Sequence, residues 1–131
     1  MSRKRICKIV GIISEEVVKR YNLYDYRNTK IVQSLDLYQH VSKHIKEFKS
    51  VDSFNRAIFN IEKIIANPYF VYYDSSRNSL LYFNKIDENV CVVVRLNLRK
   101  NKDNYVASIY PVNMHKILRL KEQSYIKKDY E

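Results

Sequence analysis

The chain has 131 residues, 46% of them hydrophobic, and a formal net charge of +10. That length suits one domain with one modest core, and lysine and arginine spread along the chain favour a polyanionic partner, most often nucleic acid. A single glycine, Gly11, excludes the glycine-rich phosphate loops of P-loop and dinucleotide-binding proteins. Cys7 and Cys91 lie far apart, form no CxxC pattern, and read as free thiols of a reducing compartment. No apolar run approaches membrane-spanning length, and the basic-then-apolar start MSRKRICKIVGII lacks a small-residue cleavage site. A cytoplasmic protein that does not enter a membrane is expected.

In chain order, Ile6 to Ile13 reads as a short strand with Gly11 near its end. Ser14 then caps a helix running to about Leu23, with Glu15 and Glu16 in the first turn and Lys19 and Arg20 later, matching the helix dipole. Tyr24 to Lys30 is a polar loop, and Ile31 to Gln33 a second short extended piece. Ser34 to Phe48, SLDLYQHVSKHIKEF, reads as a helix capped by Ser34 or Asp36. Its apolar stripe is Tyr38, Val41, Ile45 and Phe48. Ser53 begins a further helix with Phe54, Ala57, Ile58, Ile61, Ile64 and Ile65 on one face, stopped by Asn67-Pro68. After Pro68 the period changes from helix to strand. Strands are predicted at Tyr69–Tyr73, Leu80–Lys85, Val90–Leu98 and Tyr105–Tyr110, joined by polar turns short enough to force an antiparallel meander. Pro111 ends it, a basic helix runs from Asn113 to about Ser124, and the termini, about 1–5 and 125–131, fray. The fold class is therefore α+β: N-terminal helices packed on a four-stranded antiparallel meander, with a C-terminal helix, in a single domain over 1–131.

Alternation assigns the sheet faces. Val90, Val92, Val94, Leu96 and Leu98 point one way, toward the helices, and Cys91, Val93, Arg95 and Asn97 the other. In the last strand Tyr105, Ala107 and Ile109 point one way, and Val106, Ser108 and Tyr110 the other. Arg95, Ser108 and Tyr110 are thus expected on the second face or at its edge near the His-bearing helix.

His40 and His44 are four positions apart, which on an α-helix places both imidazoles on one side about one turn apart. They fall roughly 90° from the centre of the apolar stripe, where a side chain is held by the core and still meets solvent. Histidine gives and takes protons near neutral pH. Cutting RNA without a metal needs a base for the 2′-hydroxyl proton, an acid for the leaving 5′-oxygen, and fixed positive charge for the phosphorus oxygens. His40 and His44 suit the first two roles and Arg95 the third. Ser108 and Tyr110 supply hydrogen-bond donors. Lys43, Lys85 and Tyr82 complete the set as substrate contacts. The plain alternatives are that the two histidines are surface residues and that Arg95 lies on a solvated face. His115, in the C-terminal helix, reads as a surface residue. A His-x3-His pair is also half of a zinc site, but Val41 stands where a metalloprotease helix carries glutamate and no Cys cluster supplies further ligands, so neither metal nor cofactor is expected.

The order of these pieces resembles a known family. KIVGII at 8–13, HVSKHIKEF at 40–48, IIANPYFVYYD at 64–74, NVCVVVRL at 89–96 and YVASIYP at 105–111 are together similar to the phage-associated nuclease domains of the barnase–EndoU–colicin–RelE-like superfamily. The resemblance implies helices against a four-stranded antiparallel sheet. It also implies metal-independent RNase activity leaving a 2′,3′-cyclic phosphate, toxin or phage–host conflict biology, and an antitoxin or immunity partner. By position it implies His40, His44, Arg95, Ser108 and Tyr110 as site residues. Lys43 fills the basic position before the second histidine, and Ser108 stands where such domains often carry threonine. The expected function is a metal-independent endoribonuclease acting on RNA. The alternative is a basic module of phage origin that binds nucleic acid or a host protein and cuts nothing.

Overall fold

The computed structural model describes the backbone of residues 7–97 and 103–130, and side chains within 7–97 and 103–124. It contains six strands and five α-helices: β1 (Cys7–Ile12), α1 (Glu15–Tyr21), β2 (Lys30–Ser34), α2 (Leu37–Val41), α3 (Val51–Phe59), α4 (Ile61–Ala66), β3 (Phe70–Asp74), β4 (Ser79–Ile86), β5 (Glu88–Arg95), β6 (Asn104–Pro111) and α5 (Met114–Tyr130). Two 3-10 helices, Tyr24–Tyr26 and Ser42–Glu47, punctuate the first half. Leu98, most of the charged turn that follows it, and the N-terminal stretch expected to fray lie outside the described residues. α5 continues past the expected stop at Ser124.

Local chemistry explains most boundaries. The Ser14 hydroxyl accepts from the Val17 N–H to open α1, and Asn22, in the left-handed conformation at φ 57°, closes it. Ser50, not Ser53, caps the next helix by accepting from the Ser53 N–H. That helix is two, because Asn60 leaves helical geometry and its side chain bonds back to the Arg56 carbonyl. Phe54, Ala57, Ile61, Ile64 and Ile65 are buried as expected, and Ile58 is half-buried. The turns between β3 and β4 and between β4 and β5 rest on left-handed Asn78 and Asp87, at φ 48° and 64°.

The sheet order is β1-β2-β6-β5-β4-β3. The expected antiparallel meander is present as β3 to β6, but the sheet has six strands, not four. The β1–β2 pair is antiparallel and joins β6 in parallel through Ile31↔Asn104 and Val32↔Tyr105. Sequence periodicity carries no sign of a parallel pair between segments so far apart. The junction is held by Asn104, fully buried, whose amide donates to the Thr29 hydroxyl and the Lys30 carbonyl, both at 2.8 Å, and accepts from the Asn97 N–H at 3.0 Å. Gly11 lets α4 lie against β1, since a Cβ there would stand 2.8 Å from Ile65 Cγ2.

Val90, Val92, Val94 and Leu96 form one face with Leu80 and Tyr82, packed against residues of α1, α3 and α4. The second face carries Phe70, Leu81, Phe83 and Cys91 and is covered in part by Ile117 of α5. A bulge between Val93 and Val94 corrects the expected alternation of the last strand. Val93 pairs with Ser108 and Val94 with Val106, so Ala107 is the extra residue. Val106 turns into the helix-covered core beside Ile109, while Ser108 and Tyr110 stay on the second face and Tyr105 joins them opposite Arg95.

The apolar stripe of the His-bearing segment also differs. Leu37, Val41 and Phe48 are buried, and Tyr38 is exposed. The segment is α-helical only to Val41 and then tightens to 3-10, which changes the phase of every later side chain. Asp36 is its N-cap position without a side-chain cap bond; the Ser34 hydroxyl bonds the Asp36 carboxylate. Among the described residues no helix is long and apolar enough to cross a membrane.

Replacing Asn104 with alanine removes three hydrogen bonds from a fully buried position, those to the Thr29 hydroxyl, the Lys30 carbonyl and the Asn97 N–H. Asn104→Ala is expected to lower the unfolding free energy by about 2–4 kcal/mol in urea titration. A loss no larger than that of an exposed Asn→Ala substitution would show that the junction does not depend on this side chain.

Candidate active site

β2 pairs with β6 only at the first two residues of β6, so the later edge of β6 has no strand partner. α2 and the 3-10 helix pack there instead. Leu37 and Val41 anchor this segment in the helix-covered core, and Phe48 packs edge-on against Phe54 at 5.2 Å. His44 is thereby brought to the second face, with its ring centroid 6.2 Å from that of Tyr110 and tilted by 49°. Its side chain is 23% exposed.

His44 Nδ1 is bonded to the Glu47 carboxylate. A carboxylate only accepts, so Nδ1 carries the proton, and Nε2 is the ring position left for a substrate in the neutral imidazole. On the other side, Tyr110 stands across from Cys91, whose thiol is buried, and Lys116 Nζ of α5 sits 5.4 Å above the Tyr110 ring. Burial, and then Cys91, push the Tyr110 phenol well above its ordinary value, so it stays protonated and offers a hydrogen bond as a neutral donor. His44, Glu47, Tyr110 and Lys116 therefore place a tautomer-fixed imidazole, a neutral phenol and an ammonium at one sheet edge.

The other expected residues fall in different places. Ser108 lies on the same face as Tyr110, paired with Val93. Arg95 is on that face too, opposite Tyr105 and Ser79. It lies four residues along β5 from the partner of Tyr110, about 13 Å at strand rise. Its Nε is buried and has no hydrogen-bond partner among the described residues. Tyr110, Ser108 and Arg95 thus form a line along the second face with His44 at one end. His40 is exposed on α2, and its side chain makes no hydrogen bond or ring contact with His44 or Tyr110. One α step and three 3-10 steps separate the two imidazoles by roughly 100° around the axis instead of about 40°. Lys43 is exposed beside His44. Lys85 is exposed near the far end of β4, paired with Asn89. Tyr82, expected as a substrate contact, stands on the opposite, helix-covered face with 2% exposure and does not share the His44 surface. His115 is exposed.

Glu47, Cys91 and Lys116 belong to the cluster and were not read from the sequence as site residues. Glu47 had a signal: it follows His44 by three, the spacing that eclipses side chains on a 3-10 helix. Cys91 and Lys116 meet Tyr110 only through the tertiary fold. Among the described residues no group of three His, Cys, Asp or Glu converges in a way that would hold a metal ion.

An α+β fold with a histidine, a tyrosine and cations gathered at a sheet edge is an arrangement suited to moving protons beside a phosphate. Residues 8–119 match the family model described as phage-Barnase-EndoU-ColicinE5/D-RelE like nuclease 3. The chain belongs to this nuclease family. A search of the curated proteins and of the solved structures found no significant match.

Burial pushes the Cys91 thiol up from 9.0 to about 12. A thiol whose folded value is raised contributes stability that is full below the unfolded value and is lost as pH climbs through the folded one. Melting temperature is therefore expected to fall between pH 9 and about 12, with Tyr110 steepening the upper part of that window, and Cys91→Ala is expected to flatten the start of the fall. An unchanged profile in Cys91→Ala would mean that this thiol is not held in its neutral form by the fold.

Proposed function

We propose that this nuclease is an endoribonuclease that cuts RNA without a metal ion, by attack of a 2′-hydroxyl on the adjacent phosphorus. His44 takes the 2′-hydroxyl proton through Nε2 as the 2′-oxygen bonds to phosphorus. The phosphorus–O5′ bond breaks, and O5′ receives a proton from an exposed acid on the same segment, the role assigned to His40 although its ring is turned away from His44 and has to meet the leaving oxygen from the solvent side. The products are a 2′,3′-cyclic phosphate and a 5′-hydroxyl. Tyr110 donates a hydrogen bond to the phosphate, Lys116 and Lys43 supply positive charge beside it, and Ser108 and Arg95 hold the strand further along the face. Lys85, two strands from Tyr110, is a further cation for the same RNA strand. The observation that carries this reading is His44 set against Tyr110 with Glu47 fixing its tautomer, in a chain of a nuclease family.

The phage in the family's description supports a role in phage or mobile-element conflict, with the chain as a cytoplasmic toxin and an antitoxin or immunity protein as its partner. The chain acts as one domain in this reading. Growth arrest on expression that disappears in His44→Ala is the expected sign of a toxin; arrest that persists would point to binding without cutting.

Incubation of the purified protein with RNA in EDTA should yield cyclic-phosphate ends. His44→Ala should lower the rate on the order of 10²–10⁴-fold, with the fold intact because His44 lies outside the Leu37–Val41–Phe48 anchor. A comparable loss in His40→Ala would support its role as acid. A substrate with 2′-deoxyribose at the scissile position should resist. Equal cutting of the deoxy substrate would remove the 2′-hydroxyl mechanism, and an EDTA-sensitive activity would remove the metal-free one.

A further inference from the structure

One residue from each of four neighbouring strands forms a row on the second face. Ile9 pairs with Val32, Val32 with Tyr105, and Tyr105 with Arg95. Directly paired residues share a face, so the four side chains stand side by side across β1, β2, β6 and β5. None of them belongs to either core cluster. Ile117 of α5 packs on this face at Phe70, Phe83 and Cys91, four residues along β5 from Arg95. Ile9 is 56% and Tyr105 41% exposed, and Val32 and Arg95 are half-buried.

Single exposed apolar residues are ordinary, but here three adjoin one another and a cation. The Tyr105 ring and hydroxyl make no ring contact or hydrogen bond among the described residues. Arg95 has no counter-ion there either, since the ion pairs are Arg27–Glu15, His44–Glu47 and Arg56–Asp87. Its Nε is sealed off, and the two Nη atoms are the donors open to a ligand. A half-buried guanidinium without a carboxylate favours an anion brought from outside. Asp74 stands at the β3 end of the row, beyond Ser79, and disfavours an anion on that side. The Tyr105 side of Arg95 is left for it.

The row therefore offers a flat ring with a free face, an unpaired fork of donors beside it, and apolar side chains continuing outward. An unpaired base stacks on such a ring, and a phosphate takes two donors from such a fork. The row is also continuous with the candidate active site, through Ser108, to Tyr110 about 13 Å away at strand rise. We propose that this row is a platform for single-stranded RNA outside the cleavage edge, on which Tyr105 stacks one unpaired base and Arg95 holds a neighbouring phosphate. In a duplex each base is covered by its own stack, so the platform selects single strands. The choice of RNA rests on reading the His44 edge as a place of RNA cleavage.

The test is fluorescence anisotropy on the full chain carrying His44→Ala, with a labelled RNA pentanucleotide, a dinucleotide and a hairpin duplex. Adding Tyr105→Ala is expected to weaken pentanucleotide binding about tenfold, and Tyr105→Phe, which keeps the ring, to leave it as it was. The dinucleotide is too short to reach from Tyr110 to Tyr105, and the duplex has no free base, so neither is expected to respond to Tyr105→Ala. Arg95→Gln is expected to lower the slope of log affinity against log salt by about 0.7, the share of one phosphate on a single strand. Equal pentanucleotide binding by Tyr105→Ala, an equal loss for the dinucleotide, or a loss as large in Tyr105→Phe overturns the platform. So does self-association that Tyr105→Ala abolishes, which would assign the row to a second copy of the chain. RNA cleavage by the parent is followed separately. Its absence, with ring-dependent binding intact, would remove the nuclease reading and leave the platform standing.

Discussion

The buried carboxamide of Asn104 is the point on which the sheet turns. Its two N–H donors take the Thr29 hydroxyl and the Lys30 carbonyl, and its oxygen takes the Asn97 N–H. One side chain thus ties the entry to β2, the start of β6 and the end of β5. The backbone contact between β2 and β6 is only two residue pairs long. So short a parallel ladder is weak by itself, and a satisfied polar network in a dry place is strong for its size. The β1–β2 pair joins the meander here, and the meander becomes a six-stranded sheet.

Because β2 pairs with β6 only through Val32, the remaining edge of β6 is open to another element, and the His-bearing segment takes it. The candidate site is a consequence of this stagger. The segment roots Leu37 and Val41 in the core of one face, while the His44 ring meets Tyr110 on the other. Tyr110 is carried by a strand and Lys116 by a helix, so two of the partners are fixed by regular elements instead of loops. The bulge at Ala107 helps as well. It returns Val106 to the core without moving Ser108 and Tyr110 off the second face. A strand of strict alternation would have placed Val106 beside them and out of the helix-covered core.

The two margins of the sheet deal with buried polar atoms in opposite ways. Asn104, at the β2–β6 junction, has partners for both donors and for its oxygen. Tyr82, under the β3 margin, is nearly as deep and its hydroxyl has none. The difference follows from what covers each place. Strand backbone and a threonine supply hydrogen-bonding groups at the junction, whereas Tyr82 lies in an apolar cluster with Val17, Val18 and Ile65, whose side chains offer none.

The sequence alone determined the elements whose cause is local. Alternating valines marked β5 and its helix-facing side, Ser14 marked the start of α1, Asn67-Pro68 marked the end of α4, and the ordered pieces from KIVGII to YVASIYP marked the family. Strand alternation and the His spacing put both histidines near the edge that carries Arg95, Ser108 and Tyr110, and of the two it is His44 that meets Tyr110. The tertiary structure decided what depends on distant partners. That β2 would lie parallel to β6 turned on one buried asparagine seventy-five residues from the threonine it holds. That His40 and His44 would diverge turned on a switch from α to 3-10 winding after Val41, and that Val106 would face the core turned on a bulge. Lys116 and Cys91 reached Tyr110 only when α5 and β5 were in place. Periodicity reports the conformation of a chain with its near neighbours, and pairing energies between far segments leave no period to read.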